Sequence, residues 1–574
     1  MTAMTEGTTQ SPSARPWLLH YPKNVVWDQT FKAEPLYELL DAAVRKSGGL
    51  TCTNFLGRKM TYAEIGRASE KVAAGLQKIG VKKGTKVGLF LPNCPTFIIY
   101  YFGILKAGGI VVNYNPLYTL EELSFQVEDS ETELMVTLDL KLLFDKVEGL
   151  LANGTLKKAV VCPFPSLLPG AKSVLFKLVK GKELARPMSS AQKKSIVLEG
   201  DLISGKAERT PVPIDPYNDI AVLQYTGGTT GTPKGAMLMH ANAYINVMQV
   251  IEWAPDLIYG GERMMGVLPF FHVFAMTVVM NVGIAKAAEI IIMPRFVLDD
   301  ALKLIDKTKP TLMPGVPTLF NAMINHPKVK NFDLSSLKFC LSGGAPLPLE
   351  VKKGFEALSG AKVVEGYGLS ETAPVATANP INGPIKDRSI GLPLPATIVS
   401  LRSLEDLTQE VPQGEKGEIC VFGPQVMKGY WNKPEETANQ FTPDGYLRTG
   451  DVARCDEAGF FYIEDRIKDL IICSGYNVYP RRVEDAIYTH PAVEEVTVIG
   501  VPDKYRGEAP KAFIKLRGGH TATAAQILQH LQSKLSKIEL PAEIEFRDAL
   551  PKTMIGKLSK KELKAEETQR QSGI

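Results

Sequence analysis

Cysteine and histidine are scarce in this chain, with seven of each among 574 residues. The cysteines (Cys52, Cys94, Cys162, Cys340, Cys420, Cys455 and Cys473) are odd in number and widely spaced, and no CxxC occurs. That excludes a disulfide framework and a ribbon-type zinc site, and it fits a reduced, cytoplasmic protein. No run of five like charges appears, and a net charge of +4 on this length is too small for a dedicated nucleic-acid binder. The N-terminal MTAMTEGTTQSPSARPW has no apolar h-region, so no signal peptide is expected. Apolar runs are short or interrupted. Residues 96–105 cannot span a bilayer, and 276–293 contain Asn281, Lys286 and Glu289, so both read as core. Two nucleotide fingerprints are missing as well: there is no GxGxxG and no Walker loop.

What stands in their place is Tyr225-Thr-Gly-Gly-Thr-Thr-Gly-Thr-Pro-Lys-Gly-Ala236, directly after the apolar run 220–224. The run reads as a buried strand, and the glycines mark where it ends and the backbone turns sharply. A turn rich in glycine presents backbone N–H groups outward. Threonine hydroxyls and one ammonium supplement them, which is the chemistry of a polyphosphate cradle.

Hydrophobic content of 45% and charged content of 22% are ordinary for a globular chain with ample core. Residues 1–30 are a polar lead-in. From about residue 35, helices and strands alternate. Capping boxes at Thr61/Glu64 and Thr119/Glu122 open helices, and Pro95 opens another. Strands are expected at 86–91, 110–113, 133–138 and 158–162, which makes a parallel sheet with helices on both faces. Residues 163–215 break the pattern, and 172–187 mix apolar residues with Lys172, Lys177, Lys180 and Lys182. Such a piece can lie on an anionic membrane surface. From 220 to 370 the alternation returns as a second α/β layer system. Residues 390–460 turn glycine- and proline-rich with short β runs, as in a small barrel or sandwich. The last ~110 residues form a separate α+β unit, including a helix expected over 524–538.

Other stretches carry chemistry. Glu365-Gly-Tyr-Gly-Leu-Ser-Glu-Thr372 ends a strand. Its glycines admit a flat ligand, Tyr367 offers a stacking face, and Glu371 is a hard oxygen ligand for Mg²⁺. Ser342-Gly-Gly-Ala-Pro-Leu347 is a similar strand-to-turn segment, and such C-terminal strand edges are where open α/β sheets bind ligands. His272 sits among aromatic residues, as a core histidine or a channel gate. Asp451, in Tyr446-Leu-Arg-Thr-Gly-Asp, suits a ribose diol. Asp465-Arg-Ile-Lys-Asp469 has the character of a linker that could hinge. Lys557, in Leu550-Pro-Lys-Thr-Met-Ile-Gly-Lys, needs a path to the larger unit to act.

In this order and spacing, these segments resemble the adenylate-forming superfamily of acyl-CoA synthetases, luciferases and adenylation domains. The resemblance runs from about residue 35 to 565. Val112-Asn-Tyr-Asn-Pro-Leu-Tyr118, Ser389-Ile-Gly-Leu-Pro393 and Gly423-Pro-Gln-Val-Met-Lys-Gly-Tyr-Trp431 look like the bacterial long-chain fatty-acyl-CoA synthetases. The resemblance implies a large N-terminal domain over 31–466 of two α/β parallel-sheet subdomains plus a β-barrel at about 390–460. A hinge follows at about 465–469, then a small mobile α+β domain over 469–574. It also implies an ATP-dependent ligase that makes acyl-AMP and pyrophosphate, then acyl-CoA and AMP. Lys557 would clamp the first step, with Lys234, Glu371 and His272 as its catalytic companions. Tyr225, Thr226, Gly227, Gly228, Thr229, Thr230, Gly231, Thr232, Lys234 and Gly235 would hold the phosphates. Glu371, with Thr226 or Thr229, would hold Mg²⁺. Gly343, Gly344, Ala345, Glu365, Gly366, Tyr367, Gly368 and Ser370 would line the adenine, while Asp451 and Arg466 would take the ribose. Lys468 would be the hinge, and Gly475 and Tyr476 would face the coenzyme A tunnel. The implied partners are fatty acid, ATP, coenzyme A and a second copy in a homodimer, with the inner face of the membrane met through 172–187. Ligases for medium-chain, aryl or terpenoid acids, and acyl-AMP ligases that load a carrier protein, share these motifs. After Lys557 the Leu-Ser-Lys-Lys tail departs from the subgroup's usual Ile-Leu-Arg-Arg, which bears on how that tail docks.

Overall fold

The structure, a computed structural model, describes residues 15–205, 208–226, 233–474, 476–553 and 556–572. Local signals in the sequence set many element boundaries. Thr61 accepts the Glu64 N–H at 3.2 Å while Glu64 accepts the Thr61 N–H at 2.7 Å, which closes the capping box of the helix Tyr62–Lys78. Gly80, at φ +104°, ends that helix in the left-handed region. The helix Pro95–Lys106 is buried along its whole length, as its unbroken apolar sequence requires.

A seven-stranded sheet forms the first layer system. Its order is Ile196–Leu198, Lys158–Cys162, Leu134–Leu138, Lys86–Leu89, Ile110–Asn113, Ile220–Thr226 and Lys234–Met239. All neighbours are parallel except the last pair, an antiparallel hairpin with Thr226 opposite Lys234. The expectation that residue 220 begins the second layer system is corrected here. Ile220–Thr226 pairs with Ile110–Asn113 and so extends the first sheet.

The second sheet runs Arg58–Thr61, Thr51–Phe55, Glu289–Ile292, Arg263–Gly266. Parallel bridges at Leu312 connect it to Phe339–Ser342, Lys362–Gly368, Val375–Ala378 and Leu392–Pro393. Thr51–Phe55 therefore crosses from the N-terminal part of the chain to pair with Glu289–Ile292. Where a barrel or sandwich was expected, Ile398–Arg402, Lys416–Phe422, Leu447–Cys455 and Phe461–Arg466 form a four-stranded antiparallel sheet.

The C-terminal unit has its own sheet, in which Ile471–Cys473 and Val493–Asp503 flank Gly507–Leu516. The hydrophobic cores divide in the same way. One extends from Trp17 to Phe461, and two smaller ones begin at Ile471 and Ile499 and share no residue with it. The helix expected over 524–538 is shorter, Ala524–Leu531. Beyond it the Ser536 hydroxyl donates to Glu539 at 2.6 Å and closes a separate turn, and such side-chain bonds compete with helix. Leu535 and Ile538 still pack on the small core. No helix among the described residues is long and apolar enough to cross a membrane.

Candidate active site

The two ends of the phosphate-type stretch lie on the paired strands Ile220–Thr226 and Lys234–Met239. Gly227, Gly228, Thr229, Thr230, Gly231 and Thr232 lie outside the described residues, so the hairpin stem places the site. A methyl group on Gly235 would come within 3.0 Å of the Tyr225 ring, so this position needs glycine. The Tyr225 hydroxyl donates to Asp129 at 2.6 Å, and Lys433 pairs with the same carboxylate at 3.2 Å. Asp129 thereby anchors one strand of the stem, a role no local motif announces.

Residues 427–431 run alongside Lys234–Met239. The Met237 N–H donates to the Gly429 carbonyl at 2.9 Å, and the Trp431 N–H donates to that of Gly235 at 2.8 Å. The Met427 N–H donates to the Glu371 carbonyl at 2.8 Å, which ties the turn Ser370–Thr372 to the same edge. Tyr430 is thus placed between two of the expected site residues. Its hydroxyl donates to Glu371 Oε1 at 2.7 Å, and Lys234 Nζ lies 5.2 Å from its ring centroid. Burial raises the Glu371 pKa, while the Tyr430 bond, Arg466 and Lys234 pull it back. Sequence reasoning used Tyr430 only as part of a subgroup marker. The bond to Glu371 spans 59 residues and leaves no periodic signal.

The opposite wall is built from two parallel neighbours, with Ser342 in register with Glu365. Glycine lets neighbouring segments pack closely against this wall. A methyl group on Gly343 would sit 3.1 Å from Phe274, on Gly366 3.1 Å from Leu341, and on Gly368 1.8 Å from the Pro374 carbonyl oxygen. Ala345 and Ser370 are half-buried beside this wall. Glu365 does not present its carboxylate freely: Oε1 accepts the Leu347 N–H at 3.2 Å, and burial pushes its pKa up to about 7. Tyr367 donates its hydroxyl to Asp451 Oδ2 at 2.6 Å, and Arg466 Nε donates to Asp451 Oδ1 at 3.1 Å. Asp451 is thus a buried carboxylate held from both sides.

Lys557 arrives from the C-terminal unit. Its neighbour Gly556 presents a carbonyl that accepts the Thr318 hydroxyl at 2.5 Å. A methyl group on Gly344 would lie 2.7 Å from Lys557 Cε and 3.0 Å from Nζ, and Gly344 itself has φ +80°. Both space and backbone conformation therefore call for glycine there. Burial, then the Arg466 charge, lowers the Lys557 pKa to about 8, against an opposing pull from Asp451. Burial and the Lys557 charge together hold His272 at about 3. His272 is therefore a neutral ring, and its Nδ1 accepts the Phe274 N–H at 3.3 Å.

The remaining sequence candidates lie along the expected hinge segment and beyond it. Lys468 sits in the short turn Ile467–Asp469, where burial and Arg466 lower its pKa. Asp469 in the same turn pairs with Lys564 at 2.9 Å. Tyr476 is 65% exposed, and Gly475 lies outside the described residues. Among the described residues no three His, Cys, Asp or Glu side chains converge. A cation at Glu371 would thus take one protein carboxylate and complete its shell from phosphate and water, the manner of Mg²⁺. The buried Glu371 carboxylate fits that demand.

A glycine-floored anion site between two α/β sheets, reached by one lysine from a separately cored C-terminal unit, defines a two-domain nucleotide-using ligase. The chain agrees with the family model described as AMP-binding enzyme over residues 40–431, and with the AMP-binding enzyme C-terminal domain over 482–557. It belongs to the AMP-binding enzyme family. It is 44% identical over 558 residues to a long-chain-fatty-acid–CoA ligase of Bacillus subtilis strain 168, covering 97% of this chain and 99% of that one. It is 33% identical to a feruloyl-CoA synthase of Amycolatopsis sp, covering 91% of this chain and 96% of the relative. Among solved structures, ATP-bound MatB from Rhodopseudomonas palustris aligns with a TM-score of 0.80 at 29% identity, covering 93% and 99% of the two chains. MenE from Bacillus subtilis, in complex with ATP and magnesium ion, aligns with a TM-score of 0.73 at 25% identity, covering 93% and 100%.

Tyr430→Phe removes the hydroxyl donor to Glu371 and keeps the ring over Lys234. A hydrogen bond to a charged group is worth about 1.5–3 kcal/mol, so kcat/KM for Mg·ATP should fall by roughly 10- to 100-fold. The lost bond was lowering the Glu371 pKa, so the acid limb of the pH–rate profile should move to higher pH. An unmoved limb would show that the bond does not hold Glu371 ionised.

Proposed function

We propose that the protein is a long-chain-fatty-acid–CoA ligase. It activates a fatty acid with ATP to acyl-AMP and pyrophosphate, then transfers the acyl group to coenzyme A. The single observation that carries this is Lys557 beside Gly344, within the electrostatic reach of Asp451 and Arg466. A carboxylate and the α-phosphate of ATP repel each other, and a desolvated ammonium between them offsets that charge as the bond forms. The hairpin stem with Lys234 holds the leaving pyrophosphate. Asp451, steered by Tyr367 and Arg466, accepts the ribose hydroxyls. Gly343, Gly344, Gly366 and Gly368 leave a bare wall for the base. Glu371, with Thr226 or Thr229, would hold Mg²⁺, which neutralises the β and γ phosphates when bound. His272 adds an uncharged ring beside Lys557.

The second half-reaction needs a different surface. Lys557 has to withdraw before a thiol can reach the acyl carbon. The C-terminal unit is joined through 465–469 and has its own core, so a turn about Lys468 exchanges Lys557 for the face bearing the exposed Tyr476.

The acyl chain has a place as well. An apolar cavity of about 50 Å³ lies between the helix His240–Trp253, the turn Ala275–Asn281 and the second sheet, walled by Val250, Trp253, Met264, Val278, Leu341 and Val375. Leu341 immediately precedes the Ser342–Gly344 turn, and Val375 follows the Glu371 turn, so the cavity adjoins the reacting centre. Its aliphatic lining favours an alkyl chain over an aryl acid bearing hydroxyls, and its size calls for side chains to part when a long chain enters. Val278→Phe should fill it. With a chain-length series, kcat/KM should fall at least tenfold for long acids and little for short ones. A uniform loss across the series would place the acyl chain elsewhere.

A membrane surface is the proposed source of the acid. The helix Gly170–Lys180 buries no residue, and Val174, Leu175, Leu178 and Val179 are 60%, 59%, 78% and 71% exposed. Phe176 faces inward against Phe164, with ring centroids 5.0 Å apart. Residues 170–195 hold seven cationic side chains and one acid, a net of +6, against +4 for the whole chain. Each cation near an anionic leaflet contributes about 1 kcal/mol. The double variant Leu175→Asp/Leu178→Asp should stop sedimenting with phosphatidylglycerol vesicles while keeping its activity on detergent-dispersed acid. Sedimentation equal to wild type would rule this helix out.

Lys557→Ala should slow pyrophosphate release by about 100- to 1000-fold, while acyl transfer from supplied acyl-AMP survives. An equal loss in both half-reactions would break the two-arrangement assignment, and acyl-AMP formation with no thioester would point to a carrier-protein acceptor. The ammonium is lost as pH rises through about 8. The wild-type kcat/KM for adenylation should therefore decline above that pH, and Lys557→Ala should lack this limb.

A further inference from the structure

A second cleft, apart from the site above, opens between the two cores. Its volume is about 370 Å³, within the size range of sites that take small molecules. Arg388, Arg454 and Tyr462 wall it from the large unit, and Arg481, Arg482 and Lys534 wall it from the small one. Glu464 and Asp485 are the acids in its lining, so five cations face two carboxylates. The acids are already engaged. Glu464 pairs with Lys416 at 3.0 Å and Arg454 at 3.1 Å. Asp485 is governed first by burial, which raises its pKa, with Arg481 and then Arg388 opposing. Arg482 pairs with Glu539 at 3.1 Å, and Arg481 donates to the Ile463 carbonyl at 2.8 Å. The side chains of Arg388 and Lys534 make no direct hydrogen bond or ion pair among the described residues. They stand in different units, at the two sides of the cleft. Arg388 is moreover held at φ +65°, a left-handed conformation uncommon for any residue but glycine. Arg454 stacks on Tyr462 with its guanidinium carbon 4.3 Å from the ring centroid, which leaves a flat cationic shelf beside the free charges.

We propose that this cleft binds a phosphate-bearing anion and that the bound anion holds the small unit in its Lys557-inserted position. Guanidinium groups match phosphate oxygens bidentately, and two cations across a gap, neither in a direct ion pair among the described residues, call for a ligand that carries more than one negative charge. Both walls exist together only while Lys557 is docked, because the hinge at 465–469 separates them. A ligand that needs both walls binds that arrangement better and shifts the population towards it. The consequence rests on the two-half-reaction reading above: adenylation stays permitted and thioester formation slows. Two sources supply such chemistry, an inorganic polyphosphate or the phosphorylated nucleoside end of coenzyme A.

The test uses the full-length protein saturated with Mg·ATP and given no acid, so that the catalytic phosphate site is filled. ATP binding is measured first in the same calorimeter. Its absence would count against the proposed function and not against the cleft. Tripolyphosphate and adenosine 3′,5′-bisphosphate are then titrated separately. Wild type should bind one equivalent of at least one of them. The tighter of the two identifies the source. Arg388→Glu/Lys534→Glu should weaken that binding at least tenfold, whereas Arg388→Lys/Lys534→Arg should retain it. Both residues lie outside the catalytic machinery, so pyrophosphate release without added anion should be unchanged in each variant. In a separate assay with supplied acyl-AMP and coenzyme A, the bound anion should slow transfer in wild type and lose that effect in the charge-reversed variant. No second binding event in wild type, or undiminished binding in the charge-reversed variant, overturns the site. Intact binding with unslowed transfer overturns the locking.

Discussion

A charged lysine brought into a dry pocket is the constraint on which the arrangement rests. Burying the Lys557 ammonium carries a desolvation penalty, visible in its pKa of about 8. A polyphosphate beside it would offset that penalty by charge. The docking contacts around Lys557 suit a reversible approach. Thr318 to the Gly556 carbonyl, Asn321 to the Glu494 carbonyl and Arg517 to Asn325 are polar, solvent-competing bonds at 2.5, 3.2 and 2.7 Å. The two cores share no buried side chain, so little apolar surface opposes separation. The proposed entry of Lys557 for one chemical step and its withdrawal for the next require that balance.

On the fixed side of the pocket, rigidity comes from shared strand edges. The phosphate hairpin belongs to the first sheet, the glycine wall to the second, and residues 427–431 bond to both. Tyr430 sits at that junction and sets the charge state of Glu371 while its ring lies beneath Lys234. The Tyr367 hydroxyl likewise donates to Asp451, at 2.6 Å. Glu371 and Asp451 thus each accept a hydrogen bond from a phenol on a distant segment.

Both sheets were legible as alternating helix and strand, because capping boxes, helix-stopping glycines and apolar periods act within a few residues. The Thr61 and Thr119 caps are realised as read. The helix from 524 was drawn too long because its apolar stripe continues to Ile538. Leu535 and Ile538 do pack on the core, but from a turn closed by Ser536 and Glu539. Periodicity reports which side chains are buried and does not distinguish a helix from a turn that buries the same ones. Ile220–Thr226 was readable as a strand but not as a member of the first sheet, and Thr51–Phe55 was not read as a strand at all, since pairing partners about 110 and 240 residues away leave no local mark.

By itself the sequence determined the chemistry available: a glycine–threonine turn with Lys234, an acid at Glu371, an acid at Asp451 and a late lysine at Lys557, in a family order that implies adenylation. Backbone conformation and charge are properties of single residues, so these were open to inspection. Only the tertiary structure decided which of them meet. It brought Lys557 to Gly344, kept the Glu365 carboxylate on a backbone amide, left His272 neutral, and inserted Tyr430 between Lys234 and Glu371. Those outcomes depend on burial and on contacts between distant segments. Desolvation and hydrogen bonding, which set the protonation state of a side chain, exist only once the chain has folded around it.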